Sequence, residues 1–300
     1  MSVSFSAKRA SLFFVSIFSG LCLCLPLLVA QQEKMVPGVP TRTGPVASES
    51  ALPRVYAPTV SRSQAAPARK YPWKKDIVAT IFWIGEEPSP RNPVPNAKSS
   101  WDTNWQRNYG GYDDPAPENR TAHYCPTAFT PGLNPFYIAL PYNDVMTGGK
   151  SKPESSKVIP WHAKHFDRPG RTVLKSRWIA IEYKGKVCFA QWEDCGPFVT
   201  NDYEYVFGTK RPKNKKNNGA GIDISPAVRD FLGLQSGGRC NWRFVELPEV
   251  GPGPWMLLGE NNHFVHLRRH RVVQERERMK ELERLRDEWF QKNPLPWERQ

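Results

Sequence analysis

The chain has 300 residues, 39% hydrophobic and 12% aromatic, which suffices for one ordinary core with appendages. Its 29 prolines concentrate outside the central part, a pattern of one domain with irregular flanks that argues against two compact domains. A net charge of +13 suits polyanionic surroundings such as nucleic acid, anionic lipid or an acidic cell-wall polymer; without the interleaved basic and aromatic motif of a nucleic-acid module, no nucleic-acid partner is expected.

Lys8 and Arg9 precede an apolar run from Ala10 to Ala30. A basic start, an apolar stretch and a small closing residue describe an export signal, and the run is also long enough to serve as an uncleaved membrane anchor. Residues 1–30 are therefore expected to direct the chain to the periplasm, the cell envelope or the exterior. Residues 31–75, rich in Pro, Ser and Ala with no apolar period, are expected to form a disordered linker. A barrel domain is expected over 76–250 and a tail with a charged helix over 251–300. Past the signal, Cys125, Cys188, Cys195 and Cys240 remain, and an even number in an exported chain predicts two disulfides. Cys188 and Cys195 lie along one predicted strand, about 23 Å apart, where a bridge needs roughly 4.4 to 6.8 Å. Each is therefore expected to pair with Cys125 or Cys240, in either arrangement.

The first predicted strand is the apolar run Ile77 to Ile84, closed by Gly85. The segment from Glu86 to Arg120 is irregular, and long loops of this kind are more often functional than idle. Its Trp101, Trp105 and Tyr109 are candidates to stack on sugar rings, with Trp192 and Tyr203 further along; pinning the loop to the domain is the competing role. Phe136 to Pro141 is a short strand. His162, His165 and Asp167 follow without the spacing of a metal site, and no metal or other cofactor is expected.

Trp178–Tyr183 and Val187–Trp192 flank Lys184-Gly185 as a hairpin. The second strand runs into Asp194-Cys195-Gly196-Pro197, so it delivers a carboxylate to a loop mouth. Lys210, Arg211, Lys213, Lys215 and Lys216 sit in a polar insertion suited either to solvent or to a polyanion. Asp223 opens a second acidic segment, in which Ser225 is a good N-cap, Pro226 suits the first helical position and Gly233 closes the helix. Cys240 to Leu247 is the last core strand. From Arg271 to Gln291 a helix dense in Arg and Glu carries a narrow apolar stripe of Met279, Leu282, Leu285 and Trp289.

The strand ending in Asp-Cys-Gly-Pro-Phe, then Gly-Ile-Asp-Ile-Ser-Pro, a short helix and a closing Trp-Arg-Phe-Val strand resemble a double-psi β-barrel. The likeness is to the rare lipoprotein A group, and more distantly to expansins and the small barrel endoglucanases. It spans roughly Ile77 to Leu247 and is specific only after Arg171. The implied fold class is mainly β: a six-stranded double-psi β-barrel with a short helix, a disordered N-terminal linker and a C-terminal α-helix. The resemblance implies groove acids at Asp194 and Asp223. It departs at Tyr137 to Pro141, which lacks the histidine that catalytic members place near a Leu-Pro pair, and after Trp83, where the hydrolases carry a second Asp.

Cleaving a glycosidic bond takes a proton donor with a raised pKa and usually a second carboxylate. The expected function is an exported barrel that binds or cleaves cell-wall polysaccharide, such as peptidoglycan, as a lytic transglycosylase or glycosidase or in a non-hydrolytic, expansin-like way. The alternative is an inert envelope protein whose barrel and C-terminal helix bind a protein partner.

Overall fold

The computed structural model describes residues 70–89 and 92–293; the export segment and most of the linker expected from the sequence lie outside the described residues. Among the described residues eight strands form: β1 (Lys74–Ile81), β2 (Tyr137–Leu140), β3 (Val145–Met146), β4 (Lys150–Ser151), β5 (Arg177–Tyr183), β6 (Lys186–Cys195), β7 (Ile222–Ile224) and β8 (Arg239–Phe244). The α-helices are α1 (Trp105–Tyr109), α2 (Ser155–Val158), α3 (His162–His165), α4 (Tyr203–Val206), α5 (Pro226–Leu232) and α6 (His263–Lys292).

Six strands close a barrel in the order β1-β7-β2-β6-β5-β8, while β3 and β4 form a separate ribbon. Two neighbouring pairs are parallel, β1 with β7 and β2 with β6, and the other barrel pairs are antiparallel. A closed mixed barrel of this kind is compatible with a double-psi arrangement.

Side-chain alternation along the strands explains the closure. Ile138 and Leu140 of β2, Ile222 and Ile224 of β7, and Cys240, Trp242 and Phe244 of β8 all point into one core. The opposite face of β2 offers Tyr137 and Ala139 to a second, outer cluster with Phe82, Ile84, Trp105 and Tyr109. The β5–β6 hairpin turns at Lys184 and Gly185, both at positive φ (49° and 80°), which suits a two-residue turn matched to the strand twist. In α5, Ser225 caps the Val228 N–H at 3.3 Å and also donates to the Pro135 carbonyl at 2.8 Å, which ties the helix to the entry of β2.

Two expectations are corrected. The four cysteines from Cys125 onward are all free, so neither predicted bridge forms. Cys188 and Cys240 point into the barrel and pack there as small apolar residues, whereas Cys125 lies 3.0 Å from the Thr121 hydroxyl in the outer loop. In the segment 86–120, which folds around α1, Trp105 and Tyr109 are buried anchors that pin the loop to the domain and are not free to stack on sugar.

Candidate functional site: two carboxylates across Ala139

Ala139 of β2 is paired on one side with Asp194 of β6 and on the other with Asp223 of β7. Thr80 of β1 is the next member of the same row, opposite Asp223. Residues paired across neighbouring strands project to the same face, and two strand spacings put the aspartate Cα atoms about 10 Å apart. That face is the outer one, since Ile222 and Ile224 on either side of Asp223 point into the core.

Asp194 reaches this face through a break in the ladder. The register between β2 and β6 steps from Ile138↔Trp192 to Ala139↔Asp194, so Glu193 is an extra residue. Without that bulge Asp194 would follow Trp192 into the barrel; with it the carboxylate turns outward beside Ala139.

Small residues keep the space between the acids open. A methyl group built on Gly196 would lie 3.0 Å from Asp223 Oδ2 and 3.8 Å from the Ala139 Cβ. Ala139 and Gly196 therefore form a floor beside Asp223, and a side chain at Gly196 would press on its carboxyl.

Each carboxyl has its own surroundings. Burial pushes Asp223 up to about 7, the charges of Asp194 and Glu86 push in the same direction, and a hydrogen bond donated by the Thr80 hydroxyl opposes them. Asp194 is raised by burial, but the Ser100 backbone N–H donates to its Oδ1 at 2.7 Å and favours the charged form. Glu86, held by the Asn92 and Asn96 amides at 3.0 and 2.8 Å, is raised by burial too. Like charges sharing one site favour retention of a proton by one of the groups.

The loop over Asp194 is pinned by Trp101, whose indole N–H donates to Asn143 Oδ1 at 2.9 Å and whose ring meets Trp192 edge-on at 5.7 Å. Trp192 is fully buried in the barrel, and Trp105 and Tyr109 lie in the outer cluster. Burial removes these three from a sugar-stacking role; they anchor the scaffold instead. Tyr203 stays partly open at the start of α4, meeting Tyr142 at 6.3 Å with the Lys213 ammonium 5.5 Å over its ring. The irregular segment presents Tyr112, well exposed, and the partly open Trp101; just before it Trp83 donates its indole N–H to the Tyr112 hydroxyl at 3.1 Å.

Cations line the rim beyond Gly196. Lys216 sits 5.3 Å over the exposed Phe198 ring, and Lys152 sits 4.9 Å over Tyr142. Among the described residues neither makes an ion pair with a carboxylate. Burial lowers the Lys152 pKa; the nearby Glu154, Cys195 and Asp144 oppose this, and the Lys213 charge adds to it. A separate pocket of about 380 Å³, lined by His123, Cys125, Phe129 and Leu257 among others, contains none of the acids.

Thr80 and Ala139 carry no sequence signal of their own, whereas Gly196 stands in the Asp-Cys-Gly-Pro motif and Glu86 lies two residues past a predicted strand end, a position that favours a site. No family model matches the chain, and no curated protein sequence matches it significantly.

Proposed function

We propose that this chain is an exported, cell-wall polysaccharide-active barrel in which Asp223 is the proton donor and Asp194 the second carboxylate. The observation that carries it is the placement of both acids beside one two-residue floor of Ala139 and Gly196, with Asp223 pushed up to about 7. A carboxyl that keeps its proton at neutral pH can give it to a glycosidic oxygen as the bond to the anomeric carbon breaks. In a lytic reaction, a hydroxyl of the same sugar then closes on the anomeric carbon and returns its proton to a carboxylate. The absent Leu-Pro histidine favours binding over catalysis, so the catalytic assignment rests on the two carboxyls alone.

The rim narrows the ligand class. Lys152, Lys213 and Lys216, each over an aromatic ring, suit a glycan bearing carboxylates or phosphates, and of those rings Phe198 is exposed and Tyr203 partly open while Tyr142 is buried. Peptidoglycan fits this description, and the likeness to the rare lipoprotein A group points the same way.

Incubation of the purified chain with isolated sacculi and with cellulose, followed by pull-down and analysis of released sugars, tests the proposal. Sacculi are expected to be bound and to release soluble fragments, with Asp223→Asn lowering release about 100-fold or more while pull-down persists. Binding without release from the unaltered chain would leave a binding module and remove the catalytic assignment; no binding to either polymer would remove both.

A further inference from the structure

Helix α6 has 30 residues, and only Val265 among them is buried. Beyond it Val272, Met279, Leu282 and Trp289 are large and exposed. Their spacing repeats every seven residues, Val272 with Met279 and Leu282 with Trp289, so all four fall on one a/d seam of a heptad pattern. Glu275 and Arg286 occupy the two remaining seam positions. From Val272 to Trp289 the seam runs about 26 Å along the helix.

Read from either end, this seam is complementary to itself. If a second helix is laid antiparallel with the two-fold axis between Lys280 and Glu281, Val272 meets Trp289, Met279 meets Leu282 and Glu275 meets Arg286, each twice. Arg276 and Glu283, at the flanking e positions, face each other across the same axis. A parallel, in-register pair would set Glu275 against Glu275 and Arg286 against Arg286, which is repulsive. The ion-pair pattern along the helix agrees. Arg284 is engaged within the helix by Glu281 and Glu288, on the outer surface of such a pair. Glu275, Arg276 and Glu283 make no ion pair among the described residues, and Arg286 reaches only its exposed neighbour Asp287.

We infer that α6 is a homodimerisation helix that pairs antiparallel with α6 of a second copy, in the register set by Glu275 and Arg286. The occupant of the seam is this chain itself, because its apolar and charged positions both match under one two-fold axis. The inference does not depend on what the barrel binds.

Sedimentation equilibrium of the full chain over rising concentration tests it. The apparent mass is expected to climb from the 34.3 kDa of the chain toward twice that value. Glu275→Arg, or Arg286→Glu, is expected to weaken association about tenfold or more, since each sets like charges face to face. The double variant carrying both reversals is expected to restore it, and Leu282→Glu to abolish it. Far-UV circular dichroism checks that the helix persists in each variant. A mass that stays at one chain throughout, single reversals without effect, or a double reversal that fails to restore pairing would each overturn the inference.

Discussion

At the scale of single residues, Asp223 sets function against stability. Its folded pKa of about 7 lies above the ordinary 3.8. Between those values the folded chain holds a proton that the unfolded chain has released, so stability falls as pH rises through this window. Asp223→Asn removes the cost of a buried charge. The variant is expected to melt a few degrees higher than the parent at pH 8, about 2 kcal/mol, and to match it near pH 4. A thermal scan at the two pH values checks this; an equal effect at both would mean that Asp223 is not the titrating group. Sugar release by the parent is expected to fall about tenfold per pH unit above 7, as the donor loses its proton. Glu193 belongs to the same class. Burial pushes it up to about 7, its Oε1 accepts from Ser176 and Asn261 at 3.0 Å each, and its Oε2 has no partner. The bulge that aims Asp194 outward thus leaves a second, unsatisfied carboxyl inside.

At the scale of elements, the floor and the cap make opposite predictions. Gly196 has no positive φ, so Ala is compatible with its backbone, yet the added methyl presses on Asp223 Oδ2 at 3.0 Å and narrows the space between the acids. Gly196→Ala is therefore expected to lower sugar release about tenfold or more with a melting temperature within a degree or two of the parent. A fully active variant would show that the ligand does not enter this gap. Ser225→Ala does the reverse. It removes the cap of α5 and leaves the buried Pro135 carbonyl without its donor. A loss of about 2 kcal/mol is expected in denaturant titration, with the remaining folded protein still active. The Lys184-Gly185 turn, by contrast, lies far along the hairpin from Asp194, and nothing in the site depends on it.

At the scale of the whole molecule, the barrel stands on packing without covalent ties. Cys188 and Cys240 are enclosed in the core and Cys125 is buried outside it, all as thiols. Burial raises the pKa of Cys188 and Cys240, which keeps them as unreactive thiols. The melting temperature is therefore expected to be unchanged by a reducing agent. A drop of several degrees on reduction, or fewer than four titratable thiols from Cys125 onward after unfolding, would contradict the structure. Because α6 touches the domain only near its start, through Val265, the contact of Phe264 with Trp178 at 5.5 Å and the bonds of Arg268 and Arg269 to Leu257 and Glu260, most of that helix contributes little to barrel stability.

What the sequence by itself determined is local. Alternating apolar residues specified the β5–β6 hairpin, Ser225, Pro226 and Gly233 bounded α5, and the charged segment with its narrow apolar stripe foretold α6 from Arg271 onward, because each depends on neighbours within a few positions. The two acids were also legible, since each sits where a strand meets a loop. What only the tertiary structure decided is which residues share a face. Ala139 gains its place from pairing with two strands tens of residues away, and Asp194 gains its direction from a bulge that no local pattern records. Trp105, Tyr109 and Trp192 show the same limit. An aromatic ring buries equally well against sugar or against a core, and only the closure of the barrel and the folding of segment 86–120 over Tyr137 assigned these three to the core.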